Sequence, residues 1–382
     1  MTVPPNRPIY LDCHATTPVD PRVLAAMRPW WEENFANPGS VEHAMGRAAE
    51  EAVEDARAHI AELIGADAKE IVLTSGATEA NNLAVLGAAR AYQSRGRHLI
   101  ASPMEHASVT GPLTALAAEG FTLDFLRVGP DGRVDIGHLK SLLRPDTILA
   151  SVCAVDSEVG TVQPLHDVRA ALGAHPNCRL HVDATQAVGK LAVDLSAGDL
   201  VTLSPHKFYG IAGSGVLIVR GGMRLEPVLY GGVGQTPYRS GTPALALSVA
   251  AEAALKEALE HLNERLEEVV RLNRRLREGF AGMGFVTANS PLDASPFILN
   301  VSVTGIRARD LIARLDEAGI FVSSKSACCA PASPSRPVLA MTGDRRRAMN
   351  TVRLSLSHLT TEDEIDEALR AFRACAAELE AR

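Results

Sequence analysis

None of the six cysteines, at positions 13, 153, 178, 328, 329 and 375, stands in a CxxC pair. The sequence therefore offers no zinc ribbon and no thioredoxin-type redox motif. It has no apolar run approaching the length of a membrane span. Its first residues, MTVPPNRPIYLD, lack the basic-then-apolar pattern of a signal peptide. Basic residues are not in excess: 38 Lys and Arg stand against 45 Asp and Glu, a formal charge of -7, which argues against a general nucleic-acid binder. Internal repeats and low-complexity tracts are also missing. These absences leave a soluble, cytoplasmic protein with free thiols as the expectation, with no membrane and no direct nucleic-acid partner. What is there is apolar: hydrophobic residues make up 46% of the 382 and charged residues 22%. That composition supports a large packed core, and the length suggests two or three domains' worth of chain.

From about 50 to 220, short apolar runs alternate with helical patterns. Ala49, Val53, Ala56, Ile60 and Leu63 recur at helical spacing. Strands are expected at Ile71–Leu73, His98–Ala101, Thr122–Leu126, Thr147–Ala154, Leu180–Val182, Leu200–Leu203 and Gly215–Val219. Several are apolar throughout, as in strands covered on both faces. The alternation predicts an α/β layer structure around a mostly parallel sheet. Residues 244–280 read as one long helix, rich in Ala, Leu, Glu and Arg. A smaller α+β region follows, with strands at Phe297–Val303, Gly319–Val322 and Thr351–Leu356 and helices near 307–318 and 361–380. The small, polar, proline-punctuated stretch 323–337 reads as a mobile loop.

Seven places along the chain carry residues of chemical interest. Thr74-Ser75-Gly76-Ala77-Thr78-Glu79-Ala80 follows a strand and opens a helix, where small residues let backbone N–H groups approach an anion; the same residues also suit an ordinary capped helix start. Asp183 ends a buried strand, where open α/β sheets bind ligands, and could pair with a cationic heterocycle or merely cap the next helix. Lys207, in Ser204-Pro205-His206-Lys207, follows another strand. A partly buried lysine is a ready amine nucleophile and Schiff-base former, whereas a lone lysine is ordinarily a surface residue. Cys328 and Cys329 sit in the 323–337 loop beside Lys325, where a thiolate could be favoured or the pair could be inert. His106 follows the strand at 98–101. Arg353 lies within a strand and needs an anionic partner, either a substrate carboxylate or a protein carboxylate. The run Arg345-Arg346-Arg347 suits an acidic partner or a solvated face.

Together these segments resemble the cysteine desulfurases of the NifS/IscS type, within the class V aminotransferase group. The resemblance runs through YLDCHATTPVDP at 10–21, ANPGSVEHAMGRAAEEA at 36–52, LTSGATEANNLA at 73–84, HVDATQAVGKL at 181–191, SPHKFYG at 204–210, YRSGTPA at 238–244 and SSKSACCAPAS at 323–333. It implies the pyridoxal-phosphate-dependent transferase fold of type I. The large cofactor-binding domain would span 16–258. A small α+β domain, 1–15 with 259–382, would carry the cysteine loop. Lys207 would hold pyridoxal 5'-phosphate as a Schiff base, Asp183 would keep its ring nitrogen protonated, and His106 would stack on the ring and assist proton transfers. Gln186 would bond the ring oxygen. Thr78, Ser204, His206 and the backbone at Ala77 would hold the phosphate. Thr242 would reach the phosphate of a neighbouring subunit, which implies a homodimer. Arg353, with Asn37, would bind the substrate carboxylate. Cys328 would take the sulfur of L-cysteine as a persulfide, leaving L-alanine.

The implied onward partners are a sulfur-acceptor or iron–sulfur scaffold protein, for cluster assembly or for tRNA or DNA thiolation. No resident metal is implied, although Cys328 could transiently ligate an iron–sulfur cluster. Three positions depart from the family pattern. Lys325 stands where a Gly is usual, Cys329 where a Thr is usual, and Ser157 where a cofactor-binding Asn is common. A selenocysteine lyase, another lyase of the same group and a noncatalytic sulfur-acceptor scaffold are the alternatives.

Overall fold

Seven short apolar strands between residues 71 and 219 build one sheet. Its order is Ile71–Thr74, Gly215–Val219, Leu200–Leu203, Arg179–Asp183, Thr147–Ser151, His98–Ala101 and Thr122–Phe125. Gly215–Val219 runs antiparallel to both neighbours, and the remaining pairs are parallel. The central strands are buried residue by residue, as expected of strands that helices cover on both faces. The structure, a computed structural model, describes residues 8–232, 234–325 and 333–380.

Two apolar cores lie on the large sheet's faces. One joins Ile60, Ile71, Ile100, Val152, Val182 and Ala254. The other joins Leu83, Leu99, Leu113, Leu149 and Leu217. A further core collects Ile9, Leu11, Val269, Phe280, Leu299 and Phe372. It encloses the antiparallel strands Thr351–Ser355, Ile298–Val303 and Val286–Ala288, and a two-residue parallel pair, Ile9–Tyr10 with Ile320–Phe321.

The single helix expected over 244–280 is two helices, Leu245–Glu260 and Leu262–Ala281, parted at His261 with φ -102 and ψ 13. The first half sends Ala250, Ala254 and Ala258 into the core of the large sheet. The second sends Val269, Leu272 and Leu276 into the core shared with Phe372. One straight rod cannot point its apolar stripe at both. The expected strand Thr147–Ala154 stops at Ser151, because the chain turns there into the segment that carries Asp156 and Ser157.

The N-terminal strand decides what the site can be. Ile9–Tyr10 lies beside Ile320–Phe321, and Asp12 forms a bridge with Ser355. The segment 12–15 is thereby laid across the carboxyl ends of the large sheet's strands, where Lys207 also lies.

Candidate active site

A cavity of about 360 Å³ opens at those strand ends. The strand Ile71–Thr74 delivers Ser75, Gly76, Ala77 and Thr78 to it. Gly76 has φ +150, a conformation that L side chains rarely adopt, and a Cβ on Gly215 would lie 2.5 Å from its carbonyl carbon. The turn is thus held open and small. Its Ser75 N–H donates to Glu79 Oε2 at 2.7 Å, and Arg239 Nε donates to Glu79 Oε1 at 2.9 Å.

The strand Leu200–Leu203 delivers Ser204, His206 and Lys207 to the same cavity. Lys207 Nζ donates to the carbonyls of His14 and Ala15, each at 2.7 Å. His206 is pushed down to about 4, first by burial and then by the charge of Lys207, so its imidazole is neutral near pH 7.

Asp183 ends its strand and is buried. Its Oδ1 accepts from the N–H of Thr185 at 3.0 Å, and its Oδ2 from Asn81 Nδ2 at 2.9 Å. Gln186 is held at both ends of its amide. Its Nε2 donates to the carbonyl of His14 at 3.1 Å, and its Oε1 accepts from Lys190 Nζ at 2.6 Å. Lys190 is buried, and that burial holds its amine well below the usual lysine range, with Lys207 adding to the effect. His106 lines the cavity, and burial lowers its imidazole from the ordinary value.

Arg353 enters from the antiparallel strand Thr351–Ser355 and is only 2% exposed. Its Nη2 donates to Asp12 Oδ1 at 2.7 Å and its Nη1 to the carbonyl of Ser157 at 3.0 Å. The protein carboxylate that the sequence left open beside a substrate carboxylate is therefore present. Ser157 lines the cavity and contributes its backbone carbonyl to Arg353.

Of the residues expected at the site, Lys207, Asp183, His106, Gln186, Ala77, Thr78, Ser157, Ser204, His206 and Arg353 share this cavity. Thr242 is exposed and does not line it. Asn37 is exposed too, and its Oδ1 caps its own turn by accepting from Gly39 N at 2.9 Å. Cys328 lies outside the described residues. Sequence reasoning missed Asp12, Asn81, Ser108 and Lys190. Three of them sit inside motifs already singled out, but only their partners reveal a role. Ser108 carries no local signal.

The groups present fit a phosphorylated pyridine aldehyde. Two buried hydroxyls, Ser204 Oγ and Thr185 Oγ1, have no hydrogen-bond partner among the described residues, and buried hydroxyls are normally satisfied. A small-residue turn, an amine and a strand-end carboxylate line the same space. This set suits a phosphate, an aldehyde carbon and a protonated ring nitrogen in turn.

The family model for aminotransferase class-V matches residues 9–368. The cysteine desulfurase IscS of Anaeromyxobacter sp. (strain Fw109-5) is 42% identical over 374 residues, covering 95% of this chain and 91% of that protein. A solved NifS-like protein superposes with a TM-score of 0.92 at 34% identity, covering 98% of this chain and 100% of that one. SspA, solved in complex with cysteine, superposes with a TM-score of 0.80 at 32% identity, covering 92% and 99%. The chain belongs to the class-V aminotransferase family.

Proposed function

We infer that the chain is an L-cysteine desulfurase that works with pyridoxal phosphate and passes the sulfur on as a persulfide of Cys328. The observation that carries this reading is the gathering of Lys207, Asp183, His106 and Arg353, from four separate elements, around one cavity. The similarity to SspA, solved with cysteine, supports cysteine as the substrate.

Pyridoxal phosphate supplies an electron sink for the pair released at the substrate's Cα. Thr78, Ser204, His206 and the backbone at Ala77 would hold its phosphate, with Ser157 at the cavity wall. Asp183 would keep the ring nitrogen protonated, Gln186 would bond the ring oxygen and His106 would pack on the ring. Lys207 is the amine that would carry the cofactor and would then be the base for the Cα proton. Arg353 would bind the substrate carboxylate, and Asn37, outside the cavity here, would join it only by a movement of its turn. The Cys328 thiolate attacks the substrate sulfur, an S–S bond forms as the C–S bond breaks, and protons complete alanine. The balance is Cys328–SH plus cysteine to Cys328–S–SH plus alanine.

The same reading divides the chain into a large cofactor-binding domain, 16–258, and a small one, 1–15 with 259–382. It makes the protein a homodimer in which Thr242 serves the neighbouring subunit's phosphate. The exposure of Thr242 and of the large apolar side chains Trp31, Phe35 and Tyr230 supports this. The onward partner is a sulfur-acceptor protein, such as an iron–sulfur scaffold, in the cytoplasm. Among the described residues no helix is long and apolar enough to cross a membrane.

The deciding test is alanine and sulfide release from L-cysteine with added cofactor and a dithiol reductant, which converts the Cys328 persulfide to the thiol and free sulfide. Wild type yields both and shows a visible absorbance band, and Lys207→Ala loses all three. A wild type that stays colourless overturns the cofactor, and one that makes no alanine overturns the activity.

A further inference from the structure

His106 caps the helix Ala107–Ala118, and the capping atom is Nδ1, which accepts from the N–H of Ser108 at 3.1 Å. A backbone N–H can only donate, so this nitrogen presents its lone pair and bears no proton. The hydroxyl of Ser108 lies 2.8 Å from the same nitrogen and must therefore donate to it as well. That hydroxyl accepts in turn from Asn81 Nδ2 at 2.8 Å. The orientation of Asn81 is set independently. Its Nδ2 also lies 2.9 Å from Asp183 Oδ2, and the carboxylate there can only accept.

We propose that Asn81 and Ser108 are positioning residues that lock His106 in the tautomer protonated at Nε2, so that the imidazole serves the reaction as a hydrogen-bond donor and not as a proton acceptor. A continuous chain, Asp183–Asn81–Ser108–His106, sets the direction of every bond in it. For Nε2 to act as a base, the proton must move to Nδ1. There it would face the N–H of Ser108, and the Ser108 hydroxyl would lose its acceptor. The charged groups around the ring are Asp183, which favours a second proton, and Lys207, Arg336 and Arg353, which oppose it. Burial opposes it most. A neutral imidazole that only donates can polarise a reacting group without competing for its proton. Lys207 is then left as the base at Cα. The inference deepens the desulfurase reading and rests on it for its catalytic half.

The test is the 15N spectrum of histidine-labelled holoenzyme, with the His106 signals assigned by their loss in His106→Asn. The expected wild-type signature is an unprotonated Nδ1 and a protonated Nε2 throughout the neutral range. Ser108→Ala is expected to give a tautomer mixture, a higher titration midpoint for His106 and an about 10-fold slower alanine release. Ser108→Thr restores all three. A wild type protonated at Nδ1 overturns the lock, and a Ser108→Ala protein with the wild-type signature, held by the backbone N–H alone, overturns the part given to the Ser108 hydroxyl and Asn81. A shifted tautomer with an unchanged rate overturns its role in the reaction. The visible cofactor band, read on the same samples, fails separately if the desulfurase reading is wrong. The tautomer remains readable without it.

Discussion

Arg353 Nη2 lies 2.7 Å from Asp12 Oδ1, while Asp12 Oδ2 accepts the hydroxyl of Ser323 at 2.8 Å. One carboxylate therefore steadies both the arginine that faces the cavity and the chain just before residues 326–332. The backbone repeats the tie, because Arg353 N donates to the Ser323 carbonyl at 2.6 Å and Ser323 N to the Arg353 carbonyl at 3.3 Å. Asp12→Ala would leave a guanidinium that is 2% exposed with one carbonyl as its acceptor. Stranding a buried charge costs on the order of 3 kcal/mol, which urea unfolding will register. Steady-state kinetics are expected to show KM for cysteine rising about 10-fold, with kcat changed less. An unchanged KM would mean that Asp12 does not orient the arginine for substrate.

On the proposed reading, Cys328 serves sulfur transfer and not cofactor binding. Cys328→Ser is expected to keep the absorbance band and the wild-type unfolding midpoint while losing sulfide release by about 100-fold or more. Absorbance spectra and sulfide assays on one preparation decide it. A variant that still releases sulfide at the wild-type rate removes the persulfide from the mechanism.

Lys325 is the departure from the family pattern that the structure explains best. It is buried, and its Nζ donates to the carbonyl and to the hydroxyl of Ser333, the latter at 2.9 Å. It thus closes the base of the segment that bears Cys328 and Cys329. Lys325→Gly removes charge-assisted bonds worth about 1–3 kcal/mol. Faster alkylation of Cys328, followed by mass spectrometry, is expected in the variant. Equal rates would show that the tie does not restrain the segment.

Asp156 gives the fold a pH dependence. Burial, and then the charge of Glu158, raises its carboxyl from 3.8 to about 7. The folded protein therefore keeps a proton that the unfolded chain releases from about pH 4 upward. Stability from this group falls as pH rises from about 4 to 7 and is flat above. Asn at this position can still accept from the N–H groups of Glu158 and Val159, as Asp156 Oδ1 does. Asp156→Asn is expected to unfold at higher urea than wild type at pH 8, by a margin on the order of 3 kcal/mol, and with no difference at pH 4. The reverse order at pH 8 would mean that the fold does not disfavour the Asp156 carboxylate.

Much of the large sheet was legible before the structure. His98–Ala101, Leu200–Leu203 and Gly215–Val219 fall where their apolar runs predict, because a strand covered on both faces is apolar over most of its length. The break at His261 was not legible. Both halves have helix-forming composition, and only the positions of two separate cores require the bend. The two-residue strand Ile9–Tyr10 is too short to show any period.

The site divides in the same way. Lys207, Asp183 and the Ser75–Thr78 turn stand at strand ends, and the sequence alone assigned them, through local pattern and an ordered set of motifs. It also determined the family. Asp12 and Arg353 are 341 residues apart, and Asn81 and Asp183 are 102 apart. No periodicity spans such distances. Which side chain satisfies a buried charge, and which nitrogen of His106 holds its proton, is decided only when packing removes water and leaves each polar group the partners that the fold supplies.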